Sequence, residues 1–243
     1  MGGLPECVAS WATEKNPATI NEIQKELLTL YENDISKHNS KINAARTLSV
    51  FRSLVSQLAK ENKKFIYGCI KEGARAREFE SAIEWLVSSG LVLRVYNVTK
   101  PEVPLKAYEN FASFKLFFFD VGLLKHAAAI PNKQIILDLD FQFKGALAEN
   151  FCLQQFYAHQ EEKPNYYSPV QNYEVDFLVQ NQNGIIPIEC KAGKNIASAS
   201  FKRFIRENSP QRAIRFSQLP YKHQENMTNL PIYLAGIFDL NEI

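Results

Sequence analysis

The chain has 243 residues, 46% of them hydrophobic and 12% aromatic, enough apolar material for one large core or two ordinary ones. Its formal charge of +2 at pH 7 is too small to announce a nucleic-acid footprint, which needs clustered Lys and Arg, and it neither supports nor excludes DNA. No apolar run approaches the roughly 20 residues of a membrane span, no signal-peptide pattern follows Met1, and Cys7, Cys69, Cys152 and Cys190 form no Cys-x-x-Cys pair. The expectation is a cytoplasmic protein without a membrane partner, its thiols reduced and mostly buried.

Ile20, Ile23, Leu27, Leu30 and Tyr31 recur at helical spacing and predict a helix from Asn21 to Asp34. Leu48, Phe51, Leu54, Val55 and Leu58 form the stripe of a second, from about Ala44 to Lys60. A third, from about Arg75 to Ser89, buries Phe79, Ile83, Leu86 and Val87 and stops at Gly90. A strand at Leu91 to Val98, a loop with Pro101 and Pro104, and a strand at Phe114 to Asp120 complete the order of a winged helix-turn-helix. Asp120 is placed to cap a following helix.

From Phe143 the pattern changes. A helix is predicted at Lys144 to His159, then strands near Tyr166, at Tyr173 to Gln180 and at Gly184 to Lys191, a helix near Ser200 to Asn208, and strands at Ala213 to Ser217 and Pro231 to Phe238. The fold class is α/β (α+β): a helical, winged-helix-like N-terminal part, then a mixed sheet with flanking helices.

The strands Tyr173-Glu-Val-Asp-Phe-Leu-Val179 and Ile185-Ile-Pro-Ile-Glu-Cys-Lys191, joined through Asn181-Gln-Asn-Gly184, read as a hairpin. With Gln182 and Asn183 as the loop, Asp176 lies opposite Glu189; with Asn183 and Gly184, it faces Lys191. In either register the three polar side chains share a face, which only a bulge or an odd-length loop would undo. Facing carboxylates repel unless a cation lies between them, and hard oxygen ligands suit Mg²⁺ or Mn²⁺. Asp176 and Glu189 are therefore expected metal ligands, with Lys191 as catalytic base or phosphate partner in phosphodiester hydrolysis. Glu149, on the preceding helix, is a supporting carboxylate. A solvated cluster in which Lys191 neutralises the acids is the plainer alternative, opposed by the apolar Phe177, Val179, Ile186 and Ile188 around it.

At these residues the sequence resembles the C-terminal region of bacterial AAA-type P-loop ATPases, a domain of unknown function numbered 4143. The resemblance rests on Gly2-Gly-Leu-Pro-Glu6, Tyr31-Glu-Asn-Asp-Ile-Ser-Lys37, Phe119-Asp-Val-Gly-Leu-Leu124, Gly145-Ala-Leu-Ala-Glu-Asn150, Glu174-Val-Asp-Phe177 and Ile188-Glu-Cys-Lys191, and so covers nearly the whole chain. It implies an N-terminal ATPase module as partner, and three segments here: 1–40 as a helical lid or linker remnant, 41–125 as a winged helix, and 126–243 as a restriction-endonuclease-like PD-(D/E)XK nuclease domain. Glu149, Asp176, Glu189 and Lys191 are the positions that match the nuclease motif. Val175 stands where that motif has Pro. No Gly-x-x-x-x-Gly-Lys-Ser/Thr occurs in the sequence, so ATP is expected only through the upstream module, and the chain reads as a C-terminal fragment.

DNA is the expected partner. Arg75 and Arg77, at the start of the third helix, either meet a DNA groove or form a solvated helix end. Lys202, Arg203 and Arg206 are candidate phosphate contacts, with Arg212 and Arg215 extending a basic edge. The competing expectation is a noncatalytic DNA- or protein-binding regulator of the ATPase module.

Overall fold

The apolar stripes fold as helices because each meets a complementary face, and the computed structural model describes them over residues 1–38, 40–160 and 162–237. Helix α1 (Pro5–Glu14) precedes α2 (Pro17–His38), α3 (Lys41–Leu58) and α4 (Ala76–Ser88). Strands β1 (Val92–Val98) and β2 (Glu109–Phe118) follow, then α5 (Val121–Ala127) and α6 (Asn132–Ile136). Beyond them come α7 (Lys144–His159), β3 (Asn165–Val170), β4 (Tyr173–Asn181), β5 (Gly184–Cys190), α8 (Ala199–Asn208), β6 (Ala213–Ser217), β7 (Lys222–Gln224) and β8 (Met227–Pro231). The architecture is mixed α/β, a helical N-terminal part followed by an eight-stranded mixed sheet in the order β2-β1-β3-β4-β5-β6-β8-β7.

By contacts the chain divides into two units, one of Met1–Arg94 with Leu116–Phe143, the other of Val95–Lys115 with Lys144–Ile243. In the first, α3 packs against both α2 and α4, burying Val50, Phe51, Leu54, Ile83 and Leu86. Asp120 caps α5 by accepting the Leu123 N–H at 2.9 Å and also takes the Gly3 N–H at 2.7 Å. The side chain of Gln24 donates to the Met1 carbonyl at 2.7 Å. Two stretches far apart in sequence, Gly2-Gly3 and Phe119 to Leu124, are thus locked together.

In the second unit, β1–β3, β5–β6 and β6–β8 run parallel, while β3–β4, β4–β5 and β7–β8 run antiparallel. Helix α7 covers one face, where Phe156 meets Phe177 and Phe216 with ring centroids 5.7 and 5.9 Å apart. Helix α8 covers the other, where Phe201 and Phe204 pack on Tyr173, Val175 and Leu178.

The structure differs from the sequence reading at the C-terminal end. The expected strand at Pro231 to Phe238 is instead β8, which ends at Pro231, followed by a 3₁₀ turn at Ile232–Gly236; Phe238 lies outside the described residues. Pro231 has no N–H to carry a ladder onward, which favours the strand stopping there. Helix α5 follows the cap expected at Asp120, whereas α1, α6 and β7 were not expected, the last two being too brief for a period to show.

Candidate functional site around Asp176, Glu189 and Lys191

The hairpin closes as Asn181 opposite Gly184, with Gln182 and Asn183 as its loop, and runs regularly back to Phe177 opposite Ile188. Asn181 supports the turn by accepting the Asn183 N–H at 2.9 Å, and Gly184 adopts φ +123°, a conformation side chains resist. On its other edge β4 carries an extra residue: Tyr167 pairs with Val175 but Asn165 with Leu178, so Tyr166 is opposed by both Asp176 and Phe177. This β-bulge reverses the strand's parity, which is why Tyr173, Val175 and Leu178 share one apolar cluster.

The bulge re-aims Asp176. In place of the expected ladder position opposite Glu189, its Oδ2 accepts the Cys190 backbone N–H at 2.8 Å. Glu189, 3% exposed, pairs in register with Arg215 of β6, and its Oε1 lies 2.6 Å from Lys191 Nζ. Burial lowers the Lys191 pKa, but Glu189 foremost, then Asp176 and Glu149, outweigh it and hold the ammonium above the ordinary lysine value. Glu149 on α7 is 5% exposed and acts on the same lysine. The four residues read from the sequence thus share one electrostatic neighbourhood.

Two further members went unread. Lys115 of β2 is fully buried, its Nζ 2.5 Å from Glu174 Oε1 and 4.7 Å from the centroid of the Tyr166 ring. Burial would neutralise it, yet Glu174, Glu149 and Asp176 together keep it protonated above its ordinary range. A signal existed: a lone Lys in Phe114-Lys-Leu-Phe-Phe118 is almost never buried unless an acid meets it. What the sequence withheld was the parallel pairing of β1 with β3, which brings the adjoining β2 toward β4.

A family model described as Domain of unknown function (DUF8612) matches residues 1–134, more than half of the chain. The chain belongs to the DUF8612 family. A second model, Domain of unknown function (DUF4143), matches residues 144–234, so that resemblance covers the second part and not nearly the whole length. No curated protein and no solved structure matches the chain. The DUF8612 match ends nine residues short of the break between the two contact-defined units at Phe143, and the DUF4143 match begins directly after it.

The basic candidates of this DUF8612 chain fall in separate places. Arg75 precedes α4 as its N-cap and Arg77 lies exposed in its first turn, both in the first unit. On α8, Arg203 is engaged, its Nε 2.8 Å from Glu207 and its guanidinium 4.3 Å over the Tyr173 ring, while Arg206 is exposed. Lys202 and Arg215 line a cavity of about 990 Å³ with Lys194, Ile205, Glu225 and Met227. No helix among the described residues is long and apolar enough to cross a membrane.

Proposed function

We propose that the second unit hydrolyses DNA phosphodiester bonds with Mg²⁺ or Mn²⁺ held by Asp176 and Glu189. The observation that carries this reading is the buried Glu189, 2.6 Å from Lys191, beside the strand end where the bulge turns the Asp176 carboxylate. Mg²⁺ is commonly bound by one or two carboxylates together with substrate phosphates and water, the set these two acids offer. Among the described residues no group of three or more His, Cys, Asp or Glu forms a fuller cage. When bound, the ion supplies Lewis-acid polarisation and a more acidic water. Lys191, held protonated, faces phosphate charge as a cation rather than acting as a base. Glu149 orients an attacking water. The resemblance supports a place for this unit behind a P-loop ATPase module in the bacterial cytoplasm, with residues 41–125 as a DNA-contacting winged helix and the nuclease fold after 126.

The test is cleavage of plasmid and single-stranded DNA with Mg²⁺ or Mn²⁺ by the full chain and its Asp176→Asn and Lys191→Met variants, each checked by thermal melting. Metal-dependent cleavage lost in both folded variants supports hydrolysis. Absence of cleavage in the parent chain overturns it. One observation favours the second reading, a noncatalytic binding module: Lys191 and Lys115 already compensate Glu189 and Glu174 without a metal. Under that reading millimolar Mg²⁺ leaves the melting temperature unchanged.

A further inference from the structure

Arg215 is 2% exposed in the interior of β6, and its Nε finds no acceptor among the described residues. Glu189, its neighbour across the parallel ladder, is held by Lys191, and the guanidinium otherwise lies 5.8 Å from the centroid of the Phe201 ring. A guanidinium carries five N–H donors in a planar fork, and burying it short of partners is costly. It also lines the 990 Å³ cavity, where Lys194 and Lys202 are exposed and Glu225 is the acidic member of the lining.

We propose that Arg215, with Lys202 and Lys194, forms a phosphate-binding subsite that grips a DNA backbone phosphate flanking the one cleaved. Arg offers a phosphate two parallel N–H bonds, and the two lysines add mobile positive charge. Adjacent strands lie about 4.8 Å apart, so the subsite stands one strand from the Glu189–Lys191 pair. The ligand and its place rest on the hydrolytic reading above; the donors do not.

The test reads binding without divalent metal, so it does not depend on cleavage: fluorescence anisotropy with a labelled single-stranded oligonucleotide, and phosphorus NMR with inorganic phosphate. Arg215→Met is expected to weaken oligonucleotide binding tenfold or more while leaving the melting temperature unchanged or raised, because the buried charge is gone. Lys202→Glu, on an exposed position that does not threaten folding, weakens binding as well. Wild-type affinity in Lys202→Glu and in folded Arg215→Met overturns the subsite, as does a loss of stability in Arg215→Met with normal binding in Lys202→Glu. Arg215-dependent binding of inorganic phosphate but not of the oligonucleotide overturns the DNA assignment in favour of a small phosphorylated ligand. If binding falls as stated but no metal-dependent cleavage exists, the subsite stands and hydrolysis fails; the reverse pair of results fails the subsite alone.

Discussion

The Asp176 carboxylate is tied to the backbone of Cys190, its Oδ2 accepting that N–H at 2.8 Å, one residue from Glu189 and one from Lys191. The contact exists because β4 holds one residue more than β3 at this point. It separates two effects that one substitution would mix. Asp176→Asn keeps an oxygen acceptor and is expected to melt close to wild type while metal-dependent cleavage is abolished. Asp176→Ala also strips the acceptor from the Cys190 amide and should cost a further ~1–3 kcal/mol by urea denaturation. Equal stability of the two variants would show that the hydrogen bond carries nothing.

Lys115 is the buried counter-charge of the cluster. Lys115→Ala leaves Glu174 and its neighbours without it and is expected to destabilise the fold by about 3 kcal/mol, read by urea denaturation.

The same lysine sets a pH dependence. Its folded pKa is raised above the unfolded value of about 10.4, so its stabilisation is complete below that pH and is lost as pH climbs through the higher folded value. Melting temperatures recorded from pH 9 upward should fall less steeply in Lys115→Met than in wild type, and parallel curves would refute the assignment.

The cysteines should differ sharply in reactivity. Burial foremost, then the Cys152 thiol and the Asp176 and Glu149 charges, pushes the Cys190 thiol far up, so it stays protonated and inert at neutral pH. Cys7 and Cys152 are buried too, whereas Cys69 is half-buried and receives a hydrogen bond from Lys60. Alkylation of the native chain followed by peptide mapping should label Cys69 first.

Two glycines give opposite outcomes. A Cβ at Gly122 would meet the Met1 carbonyl oxygen at 2.2 Å and Gln24 Nε2 at 2.6 Å, so Gly122→Ala should cost ~1–3 kcal/mol. At Gly145, in the first turn of α7, nothing lies within 4 Å, and Gly145→Ala should gain up to ~1 kcal/mol. Urea titration of both variants checks the pair.

The sequence by itself determined what local periodicity encodes. Stripes such as Leu48, Phe51, Leu54 and Leu58 were enough to announce α3, and Lys144 to His159 was read with the bounds that α7 has. Asn181 to Gly184 announced the hairpin because two turn residues between alternating strands leave few other options. Glu189 and Lys191 could be set side by side for the same reason, since residues two apart on a strand share a face. Only the tertiary structure decided the rest. The bulge at Asp176 is a mismatch in length against β3, a strand that enters the site through a different pairing. Lys115 reaches Glu174, and Arg215 comes to stand beside Glu189, through the order β2-β1-β3-β4-β5-β6, in which residues distant in sequence become neighbours by strand pairing. Side-chain alternation says which way a residue points along its own strand; which strand lies beside it is settled by the packing of α7 and α8 on the two faces and by the pairing order of the whole sheet.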